Sequence, residues 1–473
     1  MGTIQFGTDG WRGLLGSEMN EKTVEQAAVA FAHYLQSRGS SASCCAIGYD
    51  GRESSTEFSA IFARALSRSG IRVLLSDRII PTPVLSFYVN HRKCLAGVMV
   101  TASHNPPAYN GIKFKAAYGG PFLTGETREV ELCLEKGDII SQAVGPVETV
   151  DMLDDYCQAL SERLDPGVIR RLKFPVAIDS MAGAGQHVLS RILQQWGVET
   201  YTLDGDARSD FNGRLPEPIA QNLQPLADFL AQHPTYGIGL ATDGDADRLG
   251  VLQNGGEWCS AQETILMLTD YVVRQLKMRG AIVKTSSVTD KIRTFFDTSS
   301  HPVIEVQVGF KYICEEMIRQ PIAIGSEESG GYGYGNHLPE RDGIFSALLL
   351  LEMLARNEVN HLGEYRTLIS HRYGQIFYQR IDWHYAAEDR TAVLPRLALN
   401  PPSSLGNWKI EAITRYNSSR DVVNGLKFRL EGECRWLLIR ASETEPLVRL
   451  YAEGNSDIEV QQLLDLGKTL FTS

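Results

Sequence analysis

The amino-acid sequence predicts a multidomain α/β protein, with three mixed-sheet units followed by a different α+β unit. The chain has 473 residues, which is more than the roughly 100 to 200 residues of a single domain. Over most of its length, short apolar strands alternate with amphipathic helices, the pattern of βαβ units. The C-terminal part instead has strands separated by Pro- and Gly-containing connectors, which is typical of an antiparallel sheet.

The first unit, residues 1–152, begins this alternation. Residues 45–49 form a short apolar run that predicts a strand. Thr56 to Ser69 places apolar residues every three to four positions, as on one face of a helix. Residues 71–75 predict the next strand, with only Gly70 between it and the helix. This order indicates a mainly parallel sheet.

Three further units follow, with predicted boundaries at 153–255, 256–370 and 371–473. In the second, a strand at 174–178 precedes a helix from about His187 to Trp196, and strands at 236–240 and 249–252 flank an acidic loop. In the third, strands at 281–284 and 322–324 enclose a stretch in which a helix opens at Gly309. In the fourth, strands at 425–430 and 435–439 predict the antiparallel sheet.

Composition excludes several classes of function. With 46 basic and 57 acidic residues the net charge is −11, so a nucleic-acid or anionic-membrane partner is not expected. The eight cysteines form no C-x-x-C pair and are expected to be buried free thiols. No apolar run approaches the roughly 20 residues of a membrane span. We expect a cytoplasmic protein with a small-molecule partner, as a monomer or homodimer.

The strongest local signal is an acidic loop after a predicted strand. Asp243, Asp245 and Asp247 alternate with small residues and are followed by Arg248. A tight turn brings such carboxylates onto one hard cation, and the open positions suit Mg²⁺ that also binds a phosphate oxygen. The calcium-binding EF-hand pattern fails, because the required Gly and Glu positions hold Arg248 and Asn254. An ion-pair network on a solvated loop is the alternative.

Three other loops have side chains suited to phosphate or sugar. Residues 101–113 contain the adjacent Ser103 and His104. In extended backbone their side chains point apart, so a Ser-His nucleophile-base pair is geometrically poor. Structural capping is the alternative to a functional role for this loop. Residues 325–333 are Gly-rich with carboxylates and a hydroxyl. Residues 440–449 combine Arg, Ser and Thr, the donors that bind a phosphate dianion; surface salt bridges to Glu443 and Glu445 are the alternative. The chain has no P-loop and no complete dinucleotide fingerprint.

Six motifs occur in order along the chain: Phe6-Gly-Thr-Asp-Gly-Trp-Arg-Gly13, Thr-Ala-Ser-His-Asn-Pro, Asp-Gly-Asp-Ala-Asp-Arg, Glu-Glu-Ser-Gly-Gly, Arg341-Asp-Gly343 and Arg-x-Ser-x-Thr-Glu-Pro. Together they resemble the α-D-phosphohexomutase family, which includes phosphoglucomutases and phosphomannomutases. The resemblance implies four domains around a central cleft, the last with a fold like that of the TATA-box-binding protein.

The resemblance also implies roles for individual residues. Ser103 would be the phosphoserine carrier and, with Asp243, Asp245 and Asp247, would hold Mg²⁺. The charged catalytic neighbours would be Arg12, His104, Lys113 and Arg248. The sugar-selecting loop would include Glu327 and Ser329, and the distal phosphate clamp would consist of Arg440, Ser442, Thr444 and Arg449.

The implied reaction interconverts hexose 1-phosphate and hexose 6-phosphate through a phosphoserine enzyme and a hexose 1,6-bisphosphate. Two departures concern the sugar: Gly331 and Phe310 stand where members of dual glucose/mannose specificity have His, and Lys311 is a candidate replacement donor. A third places Glu443 in the clamp. The Glu-Glu-Ser-Gly-Gly form favours glucose, with mannose and glucosamine as alternatives. A phosphoserine-dependent phosphatase, a kinase-like transferase and a non-catalytic sugar-phosphate sensor are the competing functions.

Overall fold

The computed structural model describes residues 4–7, 10–38, 44–137, 139, 144–385, 390–418, 421–441 and 447–472. The chain divides into two compact units. One consists of Met1–Gly280 and Gly309–Thr367, and the other of Ala281–Val308 and Leu368–Ser473.

The first sheet has six strands in the order β1-β5-β4-β2-β3-β6, and it is mixed. Strands β2, β3, β4 and β6 pair in parallel, whereas β5 is antiparallel to both β1 and β4. The strands are β1 Trp11–Leu14, β2 Cys44–Tyr49, β3 Arg72–Ser76, β4 Ala96–Val100, β5 Tyr109–Ala116 and β6 Val147–Val150. The helices are α1 Glu21–Ser37, α2 Ser55–Arg68, α3 Thr82–His91 and α4 Thr124–Glu131.

The core of this sheet combines aliphatic residues with aromatic residues from helices and strands. Phe31 of α1 stacks on Phe114 of β5 with ring centroids 4.2 Å apart. Helix α1 begins at a capping box, in which the Asn20 side chain accepts from the Thr23 backbone N–H and the Thr23 hydroxyl accepts from the Asn20 N–H. The cap fixes the start of the helix, and the stacked rings fix the face that it buries.

The second sheet has five strands in the order β11-β10-β9-β7-β8. β7 is parallel to both β8 and β9, and β10 is antiparallel to β9 and β11. The strands are β7 Val176–Asp179, β8 Thr200–Leu203, β9 Ile238–Thr242, β10 Leu249–Gln253 and β11 Trp258–Cys259. The helices are α5 Leu153–Arg163, α6 Pro166–Ile169, α7 Val188–Gln195 and α8 Gln224–Gln232.

The next stretch contributes a parallel strand pair to the second unit and an antiparallel pair to the first. The strands are β12 Ala281–Thr285, β13 Val303–Val306, β14 Ile322–Ser326 and β15 Tyr332–Tyr334. The helices are α9 Ala261–Asp270, α10 Lys291–Phe296, α11 Phe310–Arg319, α12 Gly343–Arg356 and α13 Leu362–Tyr373. The Asp342 side chain caps α12 by accepting from the Phe345 backbone N–H at 2.8 Å.

The C-terminal sheet is antiparallel, with its six strands in the order β16-β21-β20-β19-β18-β17. The strands are β16 Phe377–His384, β17 Ser404–Leu405, β18 Trp408–Asn417, β19 Val423–Leu430, β20 Trp436–Ala441 and β21 Leu447–Gly454. The helices are α14 Arg390–Leu399 and α15 Asp457–Thr472. The predicted α+β architecture with an antiparallel sheet is confirmed here.

Within the described ranges, no helix is both long enough and apolar enough to cross a bilayer. The prediction of free cysteines is also confirmed. All eight are unpaired thiols, and six are buried, whereas Cys157 and Cys434 are half-buried.

Candidate active site

The acidic loop between β9 and β10 folds into a compact carboxylate cluster. One oxygen from each of Asp243, Asp245 and Asp247 lies within 4.8 Å of the others, and all three residues are fully buried. The backbone N–H groups of Asp247 and Arg248 donate to Asp243 Oδ1 at 2.9 Å and 3.1 Å. Ala246 has φ = 59°, a left-handed conformation that lets the turn close. The alternation of acids and small residues therefore brings the three carboxylates together, as the sequence predicts.

The cluster fits a hard divalent cation. Oδ1 of Asp245 and Oδ1 of Asp247 are buried and have no hydrogen-bond partner among the described residues. Burial raises the pKa of Asp243, and the neighbouring Asp247 and Asp245 carboxylates raise it further. Three buried oxygen ligands that repel one another gain most from a small cation with a high charge, and Mg²⁺ has that ligand preference.

Lys113 of β5 supplies a positive charge to this cluster. Its Nζ donates to Asp245 Oδ2 at 2.8 Å and to Asp247 Oδ2 at 3.1 Å. The Thr82 hydroxyl also donates to Asp245 Oδ2, at 2.6 Å. Burial alone would raise the pKa of Asp245, but the Lys113 ammonium and these hydrogen bonds outweigh it and hold the pKa below its ordinary value. Asp245 is therefore a carboxylate in the folded protein.

Ser103 lies against the same cluster, in the loop that follows β4. Its Oγ donates to Asp243 Oδ2 at 3.1 Å, and the residue is fully buried. Ser103 has φ = 53°, an uncommon conformation for a residue with a Cβ, and its backbone N–H donates to Thr101 Oγ1 at 2.9 Å. A Cβ on Gly244 would lie 2.4 Å from the Ser103 carbonyl oxygen, so only glycine allows the two loops to approach this closely.

Arg52 holds the backbone of the Ser103 loop, and the sequence did not predict this. Its guanidinium donates to the carbonyl oxygens of Ser103 and Asn105, both at 2.6 Å, and is itself 3.3 Å from Asp50 Oδ2. It also reaches two more carbonyls of the loop, those of Pro106 and Tyr109. Because Arg52 is buried, these charge-assisted bonds are expected to fix the backbone of the loop.

The other predicted charged neighbours lie around Ser103 and the acidic loop. Arg248 Nε is 3.8 Å from Asp243 Oδ2, and its NH1 donates to Glu217 at 3.3 Å. Arg12 NH1 donates to Asn105 Oδ1 at 2.7 Å, next to His104 in the chain. Burial lowers the pKa of His104, and nearby cations, Arg248 first, lower it further, so the imidazole is neutral.

The predicted sugar loop is joined to the acidic loop by Arg341. Arg341 NH2 donates to Asp247 Oδ2 at 2.7 Å, and its NH1 donates to Glu327 Oε2 at 3.4 Å. Its guanidinium carbon lies 5.6 Å from the centre of the Phe310 ring, within cation–π distance. A Cβ on Gly331 would lie 2.4 Å from Arg341 Cδ. Gly331 and Phe310, the two departures that concern the sugar, therefore both lie beside Arg341.

Ser329 and Lys311 differ in what surrounds them. The Ser329 hydroxyl is buried and has no hydrogen-bond partner within the described ranges. Lys311 Nζ donates to Thr124 Oγ1 of α4 at 3.1 Å and lies 4.9 Å from the centre of the Tyr312 ring. Lys311 thus contacts α4 of the first sheet's helix layer.

The predicted phosphate clamp belongs to the second unit. Arg440 of β20 and Arg449 of β21 are directly opposite each other in the antiparallel register. Arg449 Nε donates to Asp382 at 3.4 Å. Directly opposite residues of an antiparallel pair point to the same face of the sheet, so the Arg440 and Arg449 side chains share one face. Ser442, Thr444 and Glu443 lie outside the described residues.

Family models match most of the chain. The phosphoglucomutase/phosphomannomutase α/β/α domains I, II and III match residues 3–140, 154–256 and 260–371, and the C-terminal domain of the same family matches residues 405–466. The chain belongs to the phosphoglucomutase/phosphomannomutase family. The resemblance drawn from the six motifs is confirmed, as is the four-domain α-D-phosphohexomutase fold with an antiparallel C-terminal sheet.

Individual relatives extend along the whole chain. A Thermococcus kodakarensis protein named phosphoglucomutase/phosphomannomutase is 26% identical over 98% of this chain and 97% of its own length. A Methanothermobacter thermautotrophicus protein named as a probable phosphoglucosamine mutase is 28% identical over 96% and 94%. The crystal structure of a "putative phosphomannomutase" from Thermus thermophilus has a TM-score of 0.85 and 33% identity, with 100% of both chains covered. The reaction class is shared, whereas the named sugars differ.

Proposed function

We propose that this phosphohexomutase moves a phosphoryl group between the 1- and 6-positions of a hexose phosphate, with Ser103 as the phosphate carrier. The observation that carries the proposal is the position of Ser103 Oγ, buried and 3.1 Å from Asp243 Oδ2 beside three carboxylates. A serine hydroxyl next to a cation-binding cluster is the arrangement that phosphoryl transfer through a phosphoserine requires.

The cycle has two transfers. Phosphorylated Ser103 gives its phosphoryl group to the free hydroxyl of the sugar, so the bond from Ser103 Oγ to phosphorus breaks, a sugar–oxygen bond to phosphorus forms and the hydroxyl proton leaves. The product is hexose 1,6-bisphosphate. It then reverses in the site, because one static pose cannot present both positions to one serine. The second phosphoryl group returns to Ser103, and the isomerised monophosphate is released.

The carboxylates Asp243, Asp245 and Asp247 would hold Mg²⁺, which when bound supplies positive charge to the transferring phosphoryl oxygens. Arg248 contributes a second, permanent positive charge 3.8 Å from Asp243. Because these groups are fixed before the reaction, they stabilise the developing charge without reorganisation. Burial of Ser103 also excludes water, which would otherwise accept the phosphoryl group and make the enzyme a phosphatase.

Two groups are placed to handle the hydroxyl proton. Lys113 is the first candidate, since its Nζ lies at the carboxylate cluster, 2.8 Å from Asp245. His104 is the second. It follows Ser103 directly, its imidazole is neutral, and its buried Nδ1 has no partner among the described residues. Comparing the pH dependence of kcat in Lys113→Met and His104→Gln distinguishes them, because only loss of the true base removes a titration from the profile.

The phosphate that does not react needs a fixed binding site in both orientations. We assign this role to Arg440, Ser442, Thr444 and Arg449, supported by the facing positions of the two arginines. The sugar hydroxyls would be bound by Glu327 and Ser329. Lys311 stays a candidate donor to the sugar, and Arg341 is a further candidate, because its NH1 donates to Glu327 Oε2 at 3.4 Å.

The preferred hexose stays a prediction. The Glu-Glu-Ser-Gly-Gly loop favours glucose, but relatives named for phosphoglucosamine and phosphomannose support those sugars at least as well. The test is to measure kcat/KM in parallel for glucose, mannose and glucosamine 1-phosphates. A kcat/KM for mannose or glucosamine above that for glucose would contradict the glucose prediction and leave the mutase proposal intact.

The carrier role is tested by incubating the enzyme with ³²P-labelled glucose 1,6-bisphosphate and magnesium. We expect label on the wild-type protein and none on Ser103→Ala, which should also lose mutase activity. Ser86→Ala is the matched control, because it removes another buried hydroxyl of the first unit, from α3. Labelling or turnover in Ser103→Ala equal to the wild type would eliminate the proposal.

A further inference from the structure

Two thiols of the first sheet lie in direct contact. Cys44 opens β2, and Cys94 lies two residues before β4, the parallel neighbour of β2. Their Sγ atoms are 3.2 Å apart, and the Leu95 N–H donates to the Cys44 carbonyl at 2.9 Å. Cys94 is 1% exposed and Cys44 9%, so Cys44 is the more exposed residue of the pair. Both are free thiols.

The two sulfurs are chemically unequal. When both are thiols, Cys44 Sγ donates a hydrogen bond to Cys94 Sγ at 3.2 Å. When Cys44 ionises, the Cys94 thiol becomes the donor to the Cys44 thiolate. Arg72 is the residue paired with Cys44 on the adjacent strand β3. The hydrogen bond from Cys94 and the Arg72 charge lower the pKa of Cys44 to about 6 against the effect of burial. The same hydrogen bond, together with burial, raises the pKa of Cys94. Cys44 is thus the reactive thiolate and Cys94 the neighbouring thiol.

We propose that Cys44 and Cys94 form a reversible redox site. A peroxide oxidises the two thiols to a disulfide, and a dithiol reduces the disulfide again. In the first step, the Cys44 thiolate attacks hydrogen peroxide; a sulfur–oxygen bond forms, the peroxide bond breaks, and the hydroxide released takes up a proton as water. In the second, Cys94 sulfur attacks the Cys44 sulfenic acid, the disulfide forms, and the hydroxyl leaves with the Cys94 proton as water. The sulfurs lose two electrons in total and the peroxide gains them.

The position of the pair predicts what the disulfide does. β2 runs from Cys44 toward Asp50 and Arg52, and β4 runs from beside Cys94 toward Ser103. A strand of five residues spans about 17 Å, so the thiols lie at the opposite end of the strands from the Ser103 loop. A disulfide there closes a loop of the chain and leaves the catalytic loops unconstrained. It is therefore expected to raise resistance to heat and to leave mutase turnover unchanged.

The test uses the full chain and hydrogen peroxide itself. The reduced protein is treated with rising amounts of peroxide, the remaining thiols are blocked with N-ethylmaleimide, and the digest is analysed by mass spectrometry without reduction. We expect the N-ethylmaleimide-labelled peptides of Cys44 and Cys94 to decrease together. A cross-linked species that joins the two peptides should appear in their place, and dithiothreitol should separate it. Three results would overturn the proposal. The first is that N-ethylmaleimide still labels Cys44 and Cys94 after peroxide treatment. The others are a disulfide between Cys44 and Cys45, and over-oxidised Cys44 without a cross-link.

Variants identify the roles of the two sulfurs. Cys94→Ser should stop at the sulfenic acid, which dimedone captures on Cys44, and should lose the peroxide-dependent rise in unfolding temperature. Cys157→Ser is the matched control, because Cys157 is a half-buried thiol elsewhere in the first unit, whose pKa burial raises to about 11. It should keep both the cross-link and the rise. None of these measurements uses a sugar phosphate, so they stand apart from the mutase proposal.

Discussion

Replacing Arg52 with lysine is expected to loosen the loop that carries Ser103. The Arg52 guanidinium donates to four carbonyl oxygens, at 2.6 Å to Ser103, 2.6 Å to Asn105, 2.9 Å to Pro106 and 3.0 Å to Tyr109. A lysine ammonium is a single point of charge and can retain about two of these bonds. Hydrogen bonds to charged groups contribute about 1.5 to 3 kcal/mol each, so the loss amounts to about 3 to 6 kcal/mol.

The same change should reduce turnover, because Ser103 is held at φ = 53° by this loop. A displacement of about 1 Å at a reacting atom lowers the rate on the order of 100-fold. The assays are the urea midpoint, followed by tryptophan fluorescence, and kcat for the mutase reaction. Arg68→Lys is the control, since Arg68 is exposed at the end of α2, where its NH1 lies 3.5 Å from the exposed Glu25 Oε1. If Arg52→Lys kept both the urea midpoint and kcat of the wild type, the reasoning would be refuted.

Three other changes have defined outcomes. Gly331→Ala places a Cβ 2.4 Å from Arg341 Cδ, so Arg341 must move and lose its charge-assisted bond to Asp247. We expect kcat/KM to fall roughly 10- to 100-fold. An unchanged kcat/KM would contradict this reasoning. Burial lowers the pKa of His337 despite the opposing Asp342 carboxylate, so the unfolded chain binds a proton below about pH 6.5 that the folded protein excludes. The melting temperature should therefore fall as the pH drops below that value, and less steeply in His337→Asn; parallel curves would show the assignment to be wrong. Lys113→Met removes the ammonium that neutralises the Asp245 and Asp247 carboxylates. Without divalent cations the variant should melt at a lower temperature than the wild type, and magnesium should raise its melting temperature more. Equal rises in the two proteins would count against this role of Lys113.

Much of the fold was predictable because the first two sheets follow simple periodic patterns. The predicted strand at 45–49 and helix at 56–69 correspond to Cys44–Tyr49 and Ser55–Arg68, since apolar spacing and a single intervening Gly70 define both elements. Strand Val303–Val306 was missed. Only Val303 of its four residues is buried, so the strand has no clear apolar run.

The candidate site was predictable where its residues lie together in one loop. The acidic triplet needs only a tight turn to converge. Arg52 and Arg341 were not assigned roles, because their partners Ser103 and Asp247 are 51 and 94 positions away in sequence. Thr82 lies 163 positions from Asp245. The local signals were slight: Arg52 follows a predicted strand in Asp50-Gly51-Arg52, and Arg341 belongs to the motif Arg341-Asp-Gly343, but neither indicates a partner.

The ammonium of Lys113 gives the acidic loop a resident counter-ion. Synthesis and folding can thus be completed before any metal arrives, and a chelator should extract the ion while the chain stays intact. Zinc-finger domains behave in the opposite way, since their folding waits for the metal. The proposed Mg²⁺ would therefore load after folding, and its occupancy would follow the concentration of free ion.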